Sequence, residues 1–200
     1  MTRFSFLARF VFLVAVLGVA GCAAPREGPP PPGTPMEIEE LRLGLLALGP
    51  EVDPDEAARA ARVTYETTHR LALEYEIVDP PLVHNTKVNT GVKPRGLCWH
   101  WAVDLGARLE QENFETLEVQ YAIANAFNPF RIEHSTAILS TRGASMYDGV
   151  VVDPWREGGV LFWSPVTEDV RYDWKPRMEV FARKRDIQDR REERAARESF

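Results

Sequence analysis

Cysteine is scarce in this chain: its 200 residues hold only Cys22 and Cys98, with four histidines. No C-x-x-C or H-x-x-x-H pair occurs, so the close-spaced ligands of a zinc site are missing. A metal site could draw only on the scattered Cys98, His84, His100 and His134, and the expectation is that no metal and no cofactor is used. Gly158-Gly159 is not followed by a helix carrying the Lys and Ser/Thr of a phosphate loop. Excess positive charge is missing too. With 24 basic against 30 acidic residues, net −6, the chain lacks the electrostatic footprint of a nucleic-acid binder. Its one sustained apolar run, Phe10 to Val19, is too short for an ordinary transmembrane helix.

That run belongs to the N-terminus. Arg3 and Arg9 flank it as a positive n-region, and Val19-Ala20-Gly21-Cys22 resembles the lipobox of bacterial lipoproteins. The resemblance implies a signal peptide over 1–21 and a palmitate-bearing lipid on the new N-terminal Cys22; the alternative is an ordinary secretory peptide or an uncleaved anchor. Ala23 after the cysteine resembles the pattern of outer-membrane-sorted lipoproteins. The expected partner is therefore the membrane, and the expected location the cell envelope, at the outer membrane facing the periplasm. Residues 22–35, with Pro29 to Pro32 in a row, favour polyproline II and read as a semi-rigid tether. Loss of Arg3 and Arg9 would leave 22 basic against 30 acidic residues, a mature chain of −8.

If Cys22 carries lipid, Cys98 is the one remaining thiol and no intrachain disulfide can form in an oxidising compartment. Such a thiol is either buried as a small hydrophobe or used. Its setting favours use. Gly96-Leu97-Cys98-Trp99-His100 places the thiol at the start of a helix, where the dipole stabilises a thiolate. Downstream stand His134 in Glu133-His134-Ser135 and Asp153 in Val152-Asp153-Pro154, each on its own strand. A nucleophilic thiol, an imidazole that takes and returns its proton, and a carboxylate that fixes the tautomer form the set needed for acyl transfer. Taken singly, His134 is also readable as a hydrogen-bonded core histidine and Asp153 as a turn former.

The remaining pattern is helices first, then strands. Thr34-Pro35-Met36-Glu37 reads as a capping box opening a helix with Ile38, Leu41, Leu45 and Leu48 on its apolar stripe, ended by Gly49-Pro50. Asp53-Pro54 opens a second helix to about Tyr75, burying Ala57, Ala61, Thr64, Thr68, Leu71 and Tyr75, with His69 off the stripe. Asp79-Pro80-Pro81 stops it, and His84 to Gly96 reads as a long loop in which Asn85 and Asn89 could supply an oxyanion donor. Cys98 to about Leu109 is a third helix whose Cys98, Trp101, Ala102, Leu105 and Leu109 share one face. His100 points the other way, which removes it as a base for Cys98. Strands are expected over Leu117 to Ala124, His134 to Ser140, Val150 to Asp153 and Val160 to Trp163. Residues 36–175 thus form one α+β domain with helices on one face of a small antiparallel sheet. A charged helix over 176–200 docks by its first turns through Met178, Val180 and Phe181, then frays into solvent.

Gly96-Leu97-Cys98 opening a helix, Glu133-His134-Ser135 opening a strand and Val151 to Trp155 with its Asp-Pro together resemble the transglutaminase-like superfamily of papain-like cysteine enzymes. The resemblance covers roughly residues 94–163. It implies a papain-like core with Cys98 as nucleophile, His134 as general acid/base and Asp153 as orienting carboxylate, acting on a peptide or protein substrate in the envelope, by hydrolysis or by transfer to an amine. The helix-start N–H of Cys98 would stabilise the oxyanion. The run after His134, Ser135-Thr136, departs from the family's His-Ala-Trp, and Trp155, Trp163 and Trp174 receive no role. A lipid-anchored binding or scaffolding protein that keeps the fold without turnover is the alternative function.

Overall fold

The computed structural model describes residues 26–198. The signal with its lipobox, Cys22 and the first residues of the tether lie outside them. Among the described residues five α-helices and five strands form an α+β domain. Helix α1 (Pro35–Leu46) starts on the capping box read from the sequence: Thr34 and Glu37 satisfy each other's backbone N–H. In α2 (Pro54–Glu74) the Asp53 carboxylate accepts from the N–H groups of Asp55 and Glu56, both at 2.9 Å. The six residues assigned to its inner face are all buried, as are Leu41 and Leu45 of α1. His69 is half-buried and its Nδ1 meets the Pro30 carbonyl at 3.1 Å.

Residues 26–34, assigned to the tether from sequence, run along the domain. Arg26 donates to the carbonyls of Gly158 and Glu157, and Pro30 is buried against Gly159. The expected loop from His84 contains a third helix, α3 (Pro81–Asn89). Its signal was hidden because the prolines that stop α2 also open α3. Pro81 fits the first helical position, yet Pro80 as N-cap offers no side-chain acceptor. Asp79 instead anchors the last turn, accepting from Lys87 Nζ at 2.7 and 2.8 Å.

Helix α4 (Cys98–Glu110) then packs across a sheet ordered β4-β3-β2-β1-β5, antiparallel throughout. Its strands are β1 (Leu117–Ala124), β2 (His134–Thr141), β3 (Val150–Asp153), β4 (Phe162–Pro165) and β5 (Lys175–Pro176). β4 lies two residues later than its pattern suggested, because Gly158 and Gly159, at φ of 62° and 88°, prolong the turn and leave Val160 outside the ladder. Strand alternation splits two cores. Leu117, Val119, Ala137, Leu139, Val150 and Val152 face the helices, while Ala122, Ala124, Ile138 and Val151 pack with Met146, Val166, Tyr172 and Trp174 on the opposite face.

The last helix, α5 (Arg177–Glu198), docks through Val180, 2 % exposed, whereas Met178 is 65 % exposed and makes no anchor.

One buried acid ties the helical layer to the sheet. Glu56 of α2 accepts from the N–H of Glu115 at 2.6 Å and from the N–H and Oγ1 of Thr116 at 2.8 and 2.6 Å, just ahead of β1. Burial works to raise its pKa, but these donors outweigh burial and hold it below the usual carboxylate value. A depressed native pKa gives stability that is present above the unfolded value and lost as pH falls through the native one. Glu56→Ala orphans two backbone donors and should cost about 1–3 kcal/mol in urea denaturation at neutral pH. The gap between mutant and wild type should close as pH falls through the native Glu56 pKa.

Candidate active site

Cys98 is the first residue of α4, and the turn before it is set by glycine. Gly96 has φ of 122°, and a Cβ there would stand 2.4 Å from the His84 imidazole, whose Nε2 meets the Arg95 carbonyl at 2.8 Å. Any larger residue would displace the turn that aims the thiol. His100 caps this helix start, its Nδ1 accepting from the N–H groups of Gly96 and Leu97 at 3.1 and 3.2 Å. Burial, then the nearby Arg95 cation, push the His100 pKa down to about 4. His100 is thus a neutral acceptor committed to the backbone, which agrees with its exclusion as the base. Of the first N–H groups of α4, those of His100 and Trp101 reach Leu97 O, which leaves those of Cys98 and Trp99 for an acyl oxygen.

The antiparallel register, Ala137 opposite Val152, brings the head of β2 beside the end of β3. By the two-residue period His134, Thr136 and Asp153 share a face. His134 Nε2 lies 2.6 Å from Asp153 Oδ2, both side chains being 1 % exposed. The rings of Trp155, Tyr172 and Trp174 surround the imidazole at centroid distances of 4.6, 4.7 and 5.3 Å. They leave its plane little freedom to rotate. Burial alone would push the His134 pKa down, but the Asp153 charge and hydrogen bond and the adjacent Cys98 raise it to about 9. Cys98 Sγ lies 3.8 Å from the Glu133 carbonyl, one residue before His134. The other ring nitrogen, Nδ1, is buried with no hydrogen-bond partner.

Asp153 is held from four directions. Its Oδ1 accepts from the N–H groups of Trp155 and Arg156 at 3.1 and 3.3 Å, and its Oδ2 accepts from Arg156 Nε at 2.7 Å as well as from His134. Arg156 in turn forks onto Asp169, with NH1 to Oδ1 at 3.1 Å and NH2 to Oδ2 at 2.6 Å, and Trp174 Nε1 donates to the same Oδ2 at 2.9 Å. Arg156 and Asp169 side chains are each 2 % exposed. Burial acts to raise both carboxyl pKa values, yet His134 and Arg156 hold Asp153 low, and Arg156 and Trp174 hold Asp169 low. The carboxylate facing the imidazole therefore stays ionised.

Compared with family models, curated proteins and solved structures, the chain matches none. What the site can do must be read from its own atoms. The three residues singled out in the sequence, Cys98, His134 and Asp153, come together in space. Asn85 is tied to Trp155, whose Nε1 donates to Asn85 Oδ1 at 3.0 Å, which leaves the amide N–H groups as its donors. Asn89 is exposed near the end of α3 and has no such link. Trp101 is a core residue packed edge-on to Tyr75 at 4.8 Å. Among the described residues no three His, Cys, Asp or Glu side chains are grouped to hold a metal ion, and no helix is long and apolar enough to cross a membrane.

Three features escaped the sequence reading. Trp99, half-exposed, and not Trp101, walls the cleft beside Cys98. Arg156 and Asp169 form the ion-pair relay behind Asp153; the spacing Asp153-x-x-Arg156 after a strand was the one local hint. Arg177 and Phe181 of α5 also line the cleft, so the charged tail forms part of the site. This cleft, about 330 Å3, opens on the Cys98 side, and a second groove of about 470 Å3 runs past His134 between Leu82, Arg131, Arg171 and Tyr172.

Proposed function

We propose that this chain is a cysteine acyl-transfer enzyme with a transglutaminase-like, papain-like core, held in the cell envelope by a lipid on Cys22. The observation that carries the chemistry is the state of His134. One ring nitrogen is fixed on Asp153, and the other is buried, unpartnered and next to the thiol, where a purely structural histidine would leave a polar atom unsatisfied. With Nε2–H donating to Asp153, Nδ1 is the base. It holds the Cys98 proton as imidazolium, the state its raised pKa favours; the thiolate attacks the carbonyl carbon of an amide; the oxyanion is held by the N–H groups of Cys98 and Trp99. The imidazolium Nδ1–H then protonates the leaving amine, and a thioester remains on Cys98. Water releases an acid, or a second amine a new amide.

Labelling tests this directly. Iodoacetamide at pH 6.5 should alkylate Cys98 at least about tenfold faster in the folded protein than in the urea-unfolded chain. His134→Ala should remove that difference. Equal rates in folded and unfolded protein would sink the enzyme reading and favour a binding protein. Because the native His134 pKa lies above the unfolded value of about 6.5, the charged ring contributes stability present below that pH and lost as pH rises toward about 9. The melting temperature should fall across that window, and the fall should disappear in His134→Ala.

A further inference from the structure

We infer that the acyl donor for this site carries a carboxylate next to the reacting amide, and that Arg177 reads it. The inference rests on the thioester reading above and names its substrate class: an acidic peptide. The cleft beside Cys98 is walled by Trp99, Ala102, Val103, Tyr121, Ile123 and Phe181. Only two charged residues line it, Glu133 and Arg177, and they differ in what holds them. Glu133 is taken by Lys184 of α5, Nζ to Oε2 at 2.5 Å. Arg177 has no carboxylate partner among the described residues; its guanidinium lies 4.0 Å over the Tyr121 ring, and the Tyr121 hydroxyl itself donates to Glu110 at 2.8 Å.

That arrangement suits recognition. Stacking on Tyr121 holds the guanidinium in place without using any of its N–H donors, so the fork remains available for a planar anion. In a chain of net charge −6, where arginines such as Arg59, Arg62, Arg70 and Arg95 each face an acid, a half-buried arginine left without one beside the thiol is a site lacking its counter-charge. The far side of the histidine has the same sign. Arg131 and Arg171 line the second groove, also without a carboxylate partner among the described residues, Arg131 instead donating to the Arg171 carbonyl at 2.8 Å. An extended peptide crossing Cys98 from one groove to the other meets positive charge at both ends and apolar walls between them. Neutral amides of the same size would leave Arg177 desolvated and unpaired, which is how a charged pocket rejects an isostere.

The test uses two thiol reagents differing in one group, iodoacetyl-Glu-NH2 and iodoacetyl-Gln-NH2, whose iodide leaves as Cys98 Sγ is alkylated. At low salt the glutamate reagent should label the folded protein about tenfold faster than the glutamine reagent. Arg177→Gln should bring that ratio near one, Arg177→Lys should keep part of it, and Arg62→Gln, on the exposed side of α2, should leave it as in wild type. A wild-type ratio near one, or a preference that survives Arg177→Gln, overturns the inference while fast labelling by both reagents keeps the thioester reading. Labelling by neither reagent faster than in the unfolded chain overturns both.

Discussion

Arg156→Met should destabilise the fold by about 3–5 kcal/mol. Methionine has room in the Arg156 site and keeps its apolar contacts, so the loss is electrostatic. Arg156 is the one cation between two buried carboxylates, with Nε on Asp153 and the fork on Asp169. Its guanidinium also lies 3.8 Å over Phe162 and 4.8 Å over Tyr172. With the arginine gone, Asp169 keeps Trp174 Nε1 and the Arg171 N–H, and Asp153 keeps His134, but neither retains a counter-charge beyond the imidazole. Urea denaturation at pH 7 checks this, and for a domain of this size the melting temperature should fall by roughly 10 °C. Arg156→Met combined with Asp169→Leu should lose less than the two single changes added, because the second removes the charge that the first strands. Additive losses would mean that the relay is not a unit. Protonating the stranded acids also relieves the mutant, so its deficit should shrink as pH falls.

The relay explains which parts of this protein can be read from its sequence. The helix starts at Thr34-Pro35 and Asp53-Pro54 are local chemistry: a side chain within three residues satisfies the orphan N–H groups, and the structure places both caps where the pattern did. Strands β1 and β3 announce themselves because alternating residues face two distinct cores. The triad was legible for a related reason. Helix-start cysteine, strand-head histidine and strand-end aspartate are each defined by an element boundary, and antiparallel pairing of β2 with β3 does the rest. The relay had no such signal. Asp169 reaches Arg156 from a 3₁₀ turn thirteen residues on, and Trp174 reaches Asp169 from the segment entering β5, so their partnership exists only once the sheet has folded. α3 was missed because its first-turn prolines carry two messages. Docking of the tail by its first turns is legible from Met178, Val180 and Phe181, and Val180 does dock; what composition does not show is that Arg177 and Phe181 line the cleft.

On the proposed mechanism, Asp153→Asn should cost far more in turnover than in stability. Asp153 presents both oxygens as acceptors: Oδ1 to two backbone N–H groups, Oδ2 to His134 Nε2 and Arg156 Nε. An amide has only one such oxygen. If the NH2 replaces Oδ1, it faces the donors of Trp155 and Arg156; if it replaces Oδ2, it faces the arginine and forces His134 into the tautomer with the proton on Nδ1, where the base lone pair must be. Either orientation weakens the fold, and the second disables the histidine. Amide turnover should fall by about 10³–10⁴. Acylation by an activated ester with a phenolate leaving group should fall less, because that leaving group needs no proton from Nδ1. The matching stability loss should be smaller than for Arg156→Met, since the side chain is now neutral and Arg156 keeps Asp169. Comparable losses for amide and ester would show that Asp153 acts on thiolate formation alone. Full activity with lowered stability would assign it to the fold. The predicted pattern, a large amide defect beside a modest ester defect in a protein that still melts cooperatively, is the one that a carboxylate orienting His134 requires.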